Sequence, residues 1–133
     1  MVTPVADPQR VAAILCGGAT GALARAGLVE WLDVPPGRWP WPTLIANVAG
    51  ALLLGYLATR LQERLPPATY RRPFAATGLC GALTTFSTFQ VELIRIARAG
   101  HPLLAVTYGA TSLLACLAAL TAATLVVRRA RFV

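Results

Sequence analysis

Lysine is missing from these 133 residues, and acidic side chains number only five. Charged residues make up 13% of the chain and apolar ones 56%, where an average soluble domain carries roughly 25% charge. That shortage excludes an ordinary soluble domain. The twelve basic residues are all arginine, giving a net charge of +7. In a soluble protein such a surplus would suggest a nucleic-acid partner. Here the arginines flank long apolar runs, as they do in cytoplasmic membrane loops, so no nucleic acid is expected. Cys16, Cys80 and Cys116 are scattered singly and form neither a disulfide nor a metal framework. They read as small buried hydrophobes. His101 stands alone in a Gly-Pro turn, a surface position. With no nucleophile–base pair, His cluster or buried carboxylate pair, nothing suits an enzyme. An ATP-binding motif is lacking too. No cleavable signal is expected, because the first apolar run is full length and no small-residue cleavage site follows it.

What remains is hydrophobic length. Four runs, at about 11–32, 41–59, 74–94 and 102–127, can each cross roughly 30 Å of hydrocarbon, which takes about 17–25 helical residues. Trp31, Trp39, Trp41 and Tyr70 lie near run ends, where amphipathic rings favour the headgroup region. Asp33-Val34-Pro35-Pro36-Gly37-Arg38 and Ala99-Gly100-His101-Pro102 carry turn chemistry, and 60–73, with Pro66-Pro67, is a polar connector. The whole chain, 1–133, reads as a single four-helix membrane domain.

Arginine placement orients it. Arg10, Arg60, Arg64, Arg71, Arg72, Arg128, Arg129 and Arg131 share one side, while Arg38, Arg95 and Arg98 lie on the other. Eight against three places both termini in the cytoplasm. A bundle of four helices has little room for an internal pathway, so it is expected to associate. Gly17, Gly21 and Arg25 fall on one stripe, and the pairs Ala46–Gly50 and Ala51–Gly55 repeat the small-xxx-small spacing that lets backbones approach.

Polar residues inside the runs are costly in lipid and face a partner or an aqueous path. Arg25 must snorkel or find an acceptor. Asn47 shares a helical face with Thr43 and Gly50; Tyr108 and Ser112 share another. Each could equally make an interhelical hydrogen bond. The inventory of amide, hydroxyl and guanidinium donors suits an anion better than a cation. In the third run, two glycines and the Thr84-Thr85 pair invite a helix break, and backbone groups freed there need protein, water or an ion. Phe86 and Phe89 lie on one face, with Thr85, Thr88 and Glu92 on the neighbouring stripe. By spacing alone the Phe pair reads as packing.

Several blocks in order across nearly the whole chain resemble the Fluc (CrcB) fluoride channels. They are Gly17-Gly18-Ala19-Thr20-Gly21-Ala22-Leu23-Ala24-Arg25, Pro42-Thr43-Leu44-Ile45-Ala46-Asn47-Val48-Ala49-Gly50, Gly81-Ala82-Leu83-Thr84-Thr85-Phe86-Ser87-Thr88-Phe89 with Glu92, and Tyr108 with Ser112. The third block is the most specific. The resemblance implies an all-α membrane protein of four transmembrane helices, the third broken at mid-membrane, working as an antiparallel dimer with two fluoride pores in the cytoplasmic (inner) cell membrane. Phe86 and Phe89 would line a pore with ring edges toward the ion. Asn47 would donate its amide, Tyr108 and Ser112 their hydroxyls, and Thr43, Thr85, Thr88 and Glu92 would border the track. Arg25 and Gly50 would be structural. The carbonyls of Gly81 and Thr84 would face a structural sodium ion on the dimer axis that is not transported. An antiparallel homodimer calls for nearly balanced loop arginines, so the eight-to-three count also admits a homologous, oppositely oriented partner. Two rivals are a small multidrug transporter, which needs a membrane-embedded carboxylate, and a non-conducting structural subunit. Glu30 sits at a run end and Glu92 after the Phe motif, which disfavours the transporter.

Overall fold

The computed structural model describes residues 7–35, 37–64 and 70–130. Pro36, the Pro66-Pro67 pair and Arg131 lie outside these described residues. Among the described residues the chain is helical, with no strand. Helix α1 spans Pro8–Leu32 and α2 Trp41–Arg64. A π-helix, Pro73–Cys80, runs into a short α3, Gly81–Leu83. Helices α4, Phe86–Arg98, and α5, Pro102–Arg129, complete the chain.

Local chemistry sets these limits. Asp7 accepts a hydrogen bond from the Gln9 N–H at 3.0 Å, and Pro8 occupies the first helical position of α1. There its missing N–H costs nothing. Gly37 and Gly100 have φ of +81° and +87°, the left-handed conformation that lets the chain reverse between α1 and α2 and between α4 and α5. Pro102 then opens α5.

Helices α1, α2 and α5 are long and apolar enough to cross a membrane. Only 11%, 39% and 22% of their most apolar stretches are buried, so most of that surface needs an apolar surrounding. Leu15, Leu23, Leu103, Val106, Leu114 and Val126 all face outward. These helices extend slightly past the expected runs. The third run differs in kind, because its first part winds as a π-helix and it stops at Leu83 before restarting at Phe86.

Two tight seams hold the bundle. Helix α1 packs on the π segment, and α2 on α5. A Cβ on Gly17 would strike the Phe74 carbonyl, one on Gly21 the Leu79 carbonyl, and one on Gly78 would come within 2.5 Å of the Ile14 carbonyl. Backbone therefore lies directly on backbone. Gly55 gives α2 the same approach to Leu120 of α5. Leu44, Phe89, Ile96, Ala105 and Tyr108 form the buried core between α2, α4 and α5. The three thiols are not alike: Cys80 is buried, Cys116 half-buried and Cys16 exposed.

Candidate functional site

The break in the third run is the centre of the site. Thr84 (φ −80°, ψ 152°) and Thr85 (φ −149°, ψ 120°) are extended, so the helical hydrogen-bond ladder stops between Leu83 and Phe86. Freed backbone groups in such a place need other partners. Asn47 on α2 supplies two at once. Its Oδ1 accepts from the Thr85 N–H at 2.8 Å, and its Nδ2 donates to the Thr85 carbonyl at 3.1 Å. In a continuous helix that Thr85 N–H would have gone to the Gly81 carbonyl. Arg25 of α1 donates from Nε to the Ala82 carbonyl at 3.1 Å, which answers its need for an acceptor. Thr84 Oγ1 turns back to the Cys80 carbonyl at 2.9 Å.

Restart of the helix is equally local. Thr85 is the N-cap of α4, and its Oγ1 accepts from the Thr88 N–H at 3.2 Å. The same hydroxyl donates to Thr88 Oγ1 at 3.0 Å and lies 3.3 Å from Ser87 Oγ. Gly50 gives the break its room. A Cβ there would collide with the Thr84 methyl, and Thr84 is pinned by its bond to Cys80. Gly50→Ala is therefore expected to lower the melting temperature of the purified protein by several degrees, and Thr84→Ser, which removes that methyl, should restore most of the loss. A Gly50→Ala protein as stable as the parent would contradict this packing.

The aromatic pair is asymmetric. Phe86 and Phe89 have ring centroids 5.8 Å apart, yet Phe86 is 66% exposed and Phe89 only 6%. Phe89 also packs on the Tyr108 ring at 5.4 Å. Both rings line an open-sided cavity of about 400 Å³, together with Asn47, Thr84, Thr85 and Ser112. No charged side chain stands in the described part of that wall. The Ser112 hydroxyl is buried there, with no hydrogen bond within 3.5 Å among the described residues.

Tyr108 is fully buried, and its hydroxyl donates to Glu92 Oε2 at 2.8 Å. Thr43 Oγ1 donates to Glu92 Oε1 at 2.6 Å. Glu92 thus joins α2, α4 and α5 inside the bundle, a position its place after the Phe motif in the sequence did not disclose. The inward contact of Trp39 was also not foreseen. Its half-buried ring meets the Tyr108 ring at 5.5 Å in a T-shaped arrangement, and its buried Nε1 has no partner among the described residues. The sequence signal for it was weak, a third tryptophan near a run end.

The structure therefore gathers Asn47, Gly50, Gly81, Thr84, Thr85, Phe86, Phe89 and Ser112 around one cavity. It sets Thr43, Glu92 and Tyr108 in an adjoining hydrogen-bonded cluster. Arg25 touches the break from behind. Among the described residues no group of three His, Cys, Asp or Glu side chains gathers that could hold a metal. Backbone carbonyls at the break are the other candidate ligands.

Three long apolar helices with mostly unburied flanks define a multi-pass α-helical membrane protein. Residues 12–124 match the family described as CrcB-like protein, Camphor Resistance (CrcB), and the chain belongs to that family. It is similar to the fluoride-specific ion channel FluC 1 of Mycobacterium tuberculosis (strain CDC 1551 / Oshkosh), at 53% identity over 96% of this chain and 97% of the relative. FluC 1 of Mycolicibacterium paratuberculosis is 50% identical over 94% of this chain and 95% of its own length. FluC 2 of Nocardia farcinica is 40% identical, covering 86% and 82%. All three carry the name of a channel and none that of an enzyme.

Proposed function

We propose that this protein is a fluoride-selective channel that passively releases fluoride from the cytoplasm. The observation that carries the reading is the cavity in which the Phe pair, the Asn47 amide and the Ser112 hydroxyl converge with no charged group in the described wall. Fluoride holds its hydration tightly. A path for it must replace that water with weak donors and must not trap the ion. Aromatic edges carry positive quadrupole density, and an amide N–H and a hydroxyl add oriented dipoles. Asn47 Nδ2 has a second hydrogen beyond the one given to Thr85. The kinship to relatives named fluoride-specific ion channels supports the same reading.

In this reading the segment 73–98 crosses the membrane as a fourth span, with the Thr84–Thr85 break near its middle. A second, antiparallel copy, or a homologous and oppositely oriented subunit, closes the open flank beside Phe86. Two pores per dimer follow from that symmetry. The protein sits in the inner membrane, and the membrane potential, about 2.3 kcal/mol per charge per 100 mV, drives the anion outward without ATP. Thr43, Thr85, Thr88, Glu92 and Tyr108 border the track.

The Gly81 and Thr84 carbonyls would hold the structural sodium ion. The chemistry fits, because the Gly81 carbonyl loses its helical donor to Asn47 and sodium favours carbonyl oxygens. A dimer structure showing a cation between the two breaks is expected; one with Gly81 and Thr84 carbonyls turned away from the axis would contradict the assignment. Function is tested by expressing the gene in a bacterial strain stripped of its own fluoride export. Growth in millimolar fluoride should return, and continued sensitivity with normal membrane expression would count against the channel.

A further inference from the structure

A second cavity, of about 510 Å³, opens where α1 ends and α2 begins. It shares no wall residue with the Phe-lined one. Among the described residues its ionisable lining consists of Asp33 and Arg38 from the connection between α1 and α2, and Glu92 and Arg95 from α4. Thr43 and Thr88 also line it, and Thr88 is hydrogen-bonded at 3.0 Å to Thr85, which lines the other cavity. The two spaces thus meet at one seam of hydroxyls. Arg38 and Arg95 are exposed, at the end of the molecule where the turns with Gly37 and Gly100 lie.

The charges raise a difficulty for an anion. Glu92 takes hydroxyl donors on both oxygens and brings a formal negative charge to the cavity it lines. With Asp33, two negative charges border the approach. Two arginines on the same wall cancel them. We propose that Arg38 and Arg95 make this mouth passable to fluoride by balancing Asp33 and Glu92, so that the rate of anion entry follows the net charge of the cavity. This rests on the channel reading above and adds to it the residues that govern entry. Neutralising either arginine leaves the wall at a net charge of about −1, and neutralising Asp33 leaves it at about +1.

The balance gives effects of opposite sign, both sensitive to salt. The Debye length is about 30 Å at 0.01 M and about 3 Å at 1 M, longer and shorter respectively than such a cavity. Initial fluoride efflux would be measured from liposomes holding the whole protein, at low fixed fluoride, with sodium isethionate setting the ionic strength. At about 0.01 M, Arg38→Gln and Arg95→Gln are each expected to slow efflux about threefold and the double variant about tenfold. Arg95→Lys should keep the parental rate, and Asp33→Asn should raise it. At about 1 M all should converge on the parent. Asp33 has φ +24°, which asparagine tolerates well, so that variant remains informative even where an arginine variant folds poorly. Parental rates in the double variant at low salt would overturn the inference, as would a slowing that persists at high salt or an Asp33→Asn protein no faster than the parent. A parent that passes no fluoride would instead overturn the channel reading itself.

Discussion

Replacing Phe86 with isoleucine is expected to cut fluoride efflux about a hundredfold, the cost of roughly 2.8 kcal/mol added to the barrier, while the protein stays folded. Phe86 makes the cleaner test of the pair because its ring is 66% exposed in the single chain. Little of the packing within the chain depends on it. An aliphatic side chain fills similar space but offers no positive ring edge to the ion. Phe89 is only 6% exposed and packs on Tyr108, so Phe89→Ile should lower both flux and stability, the latter by about 1–3 kcal/mol. Methionine at position 86 should hurt less than isoleucine, since its thioether is polarisable. The check is single-variant efflux from liposomes, with size-exclusion profiles and melting temperatures as folding controls. Near-parental flux in a folded Phe86→Ile protein would return the pair to a packing role.

Asn47→Leu should abolish efflux and also loosen the fold, a larger effect than spacing alone suggests. As a pore donor only, Asn47 could be lost without harm to assembly. In the structure its amide holds both the N–H and the carbonyl of Thr85. Leucine would leave both groups unpaired at the break, each costing about 1–3 kcal/mol. Asn47→Asp separates the two roles. It keeps the acceptor for the Thr85 N–H but removes the donor and adds a negative charge to the anion's path, so it should be more stable than Asn47→Leu and still conduct poorly. A well-folded Asn47→Leu protein with normal efflux would refute both roles.

The long spans were legible because α1, α2 and α5 are uninterrupted apolar runs, and their ends carry Asp7-Pro8, Gly37 and Gly100-His101-Pro102, whose conformational preferences are local. The break was legible for the same reason, since glycine and paired β-branched threonines weaken a helix by themselves. Other features depend on what a residue meets across the bundle. Nothing in Pro73–Cys80 announces a π-helix, nor the close seam it forms with Gly17 and Gly21 of α1. The acceptor of Arg25 is a backbone carbonyl exposed only by the break. Glu92 was named beside the Phe motif, but sequence spacing says nothing of Thr43 and Tyr108, which close on it from two other helices. The same holds for Trp39, whose inward partner is the Tyr108 ring of a distant helix. Spacing named the residues that gather at the cavity, while what each of them touches there could not be read from it.

Fluoride efflux from liposomes bearing only the purified protein tests the account most directly, compared with chloride efflux under matched gradients and a potassium ionophore to set the potential. Fluoride should leave rapidly, at a rate that follows the imposed voltage, while chloride is retained. Fluoride retention by vesicles holding folded protein, or chloride leaving as fast as fluoride, would contradict it.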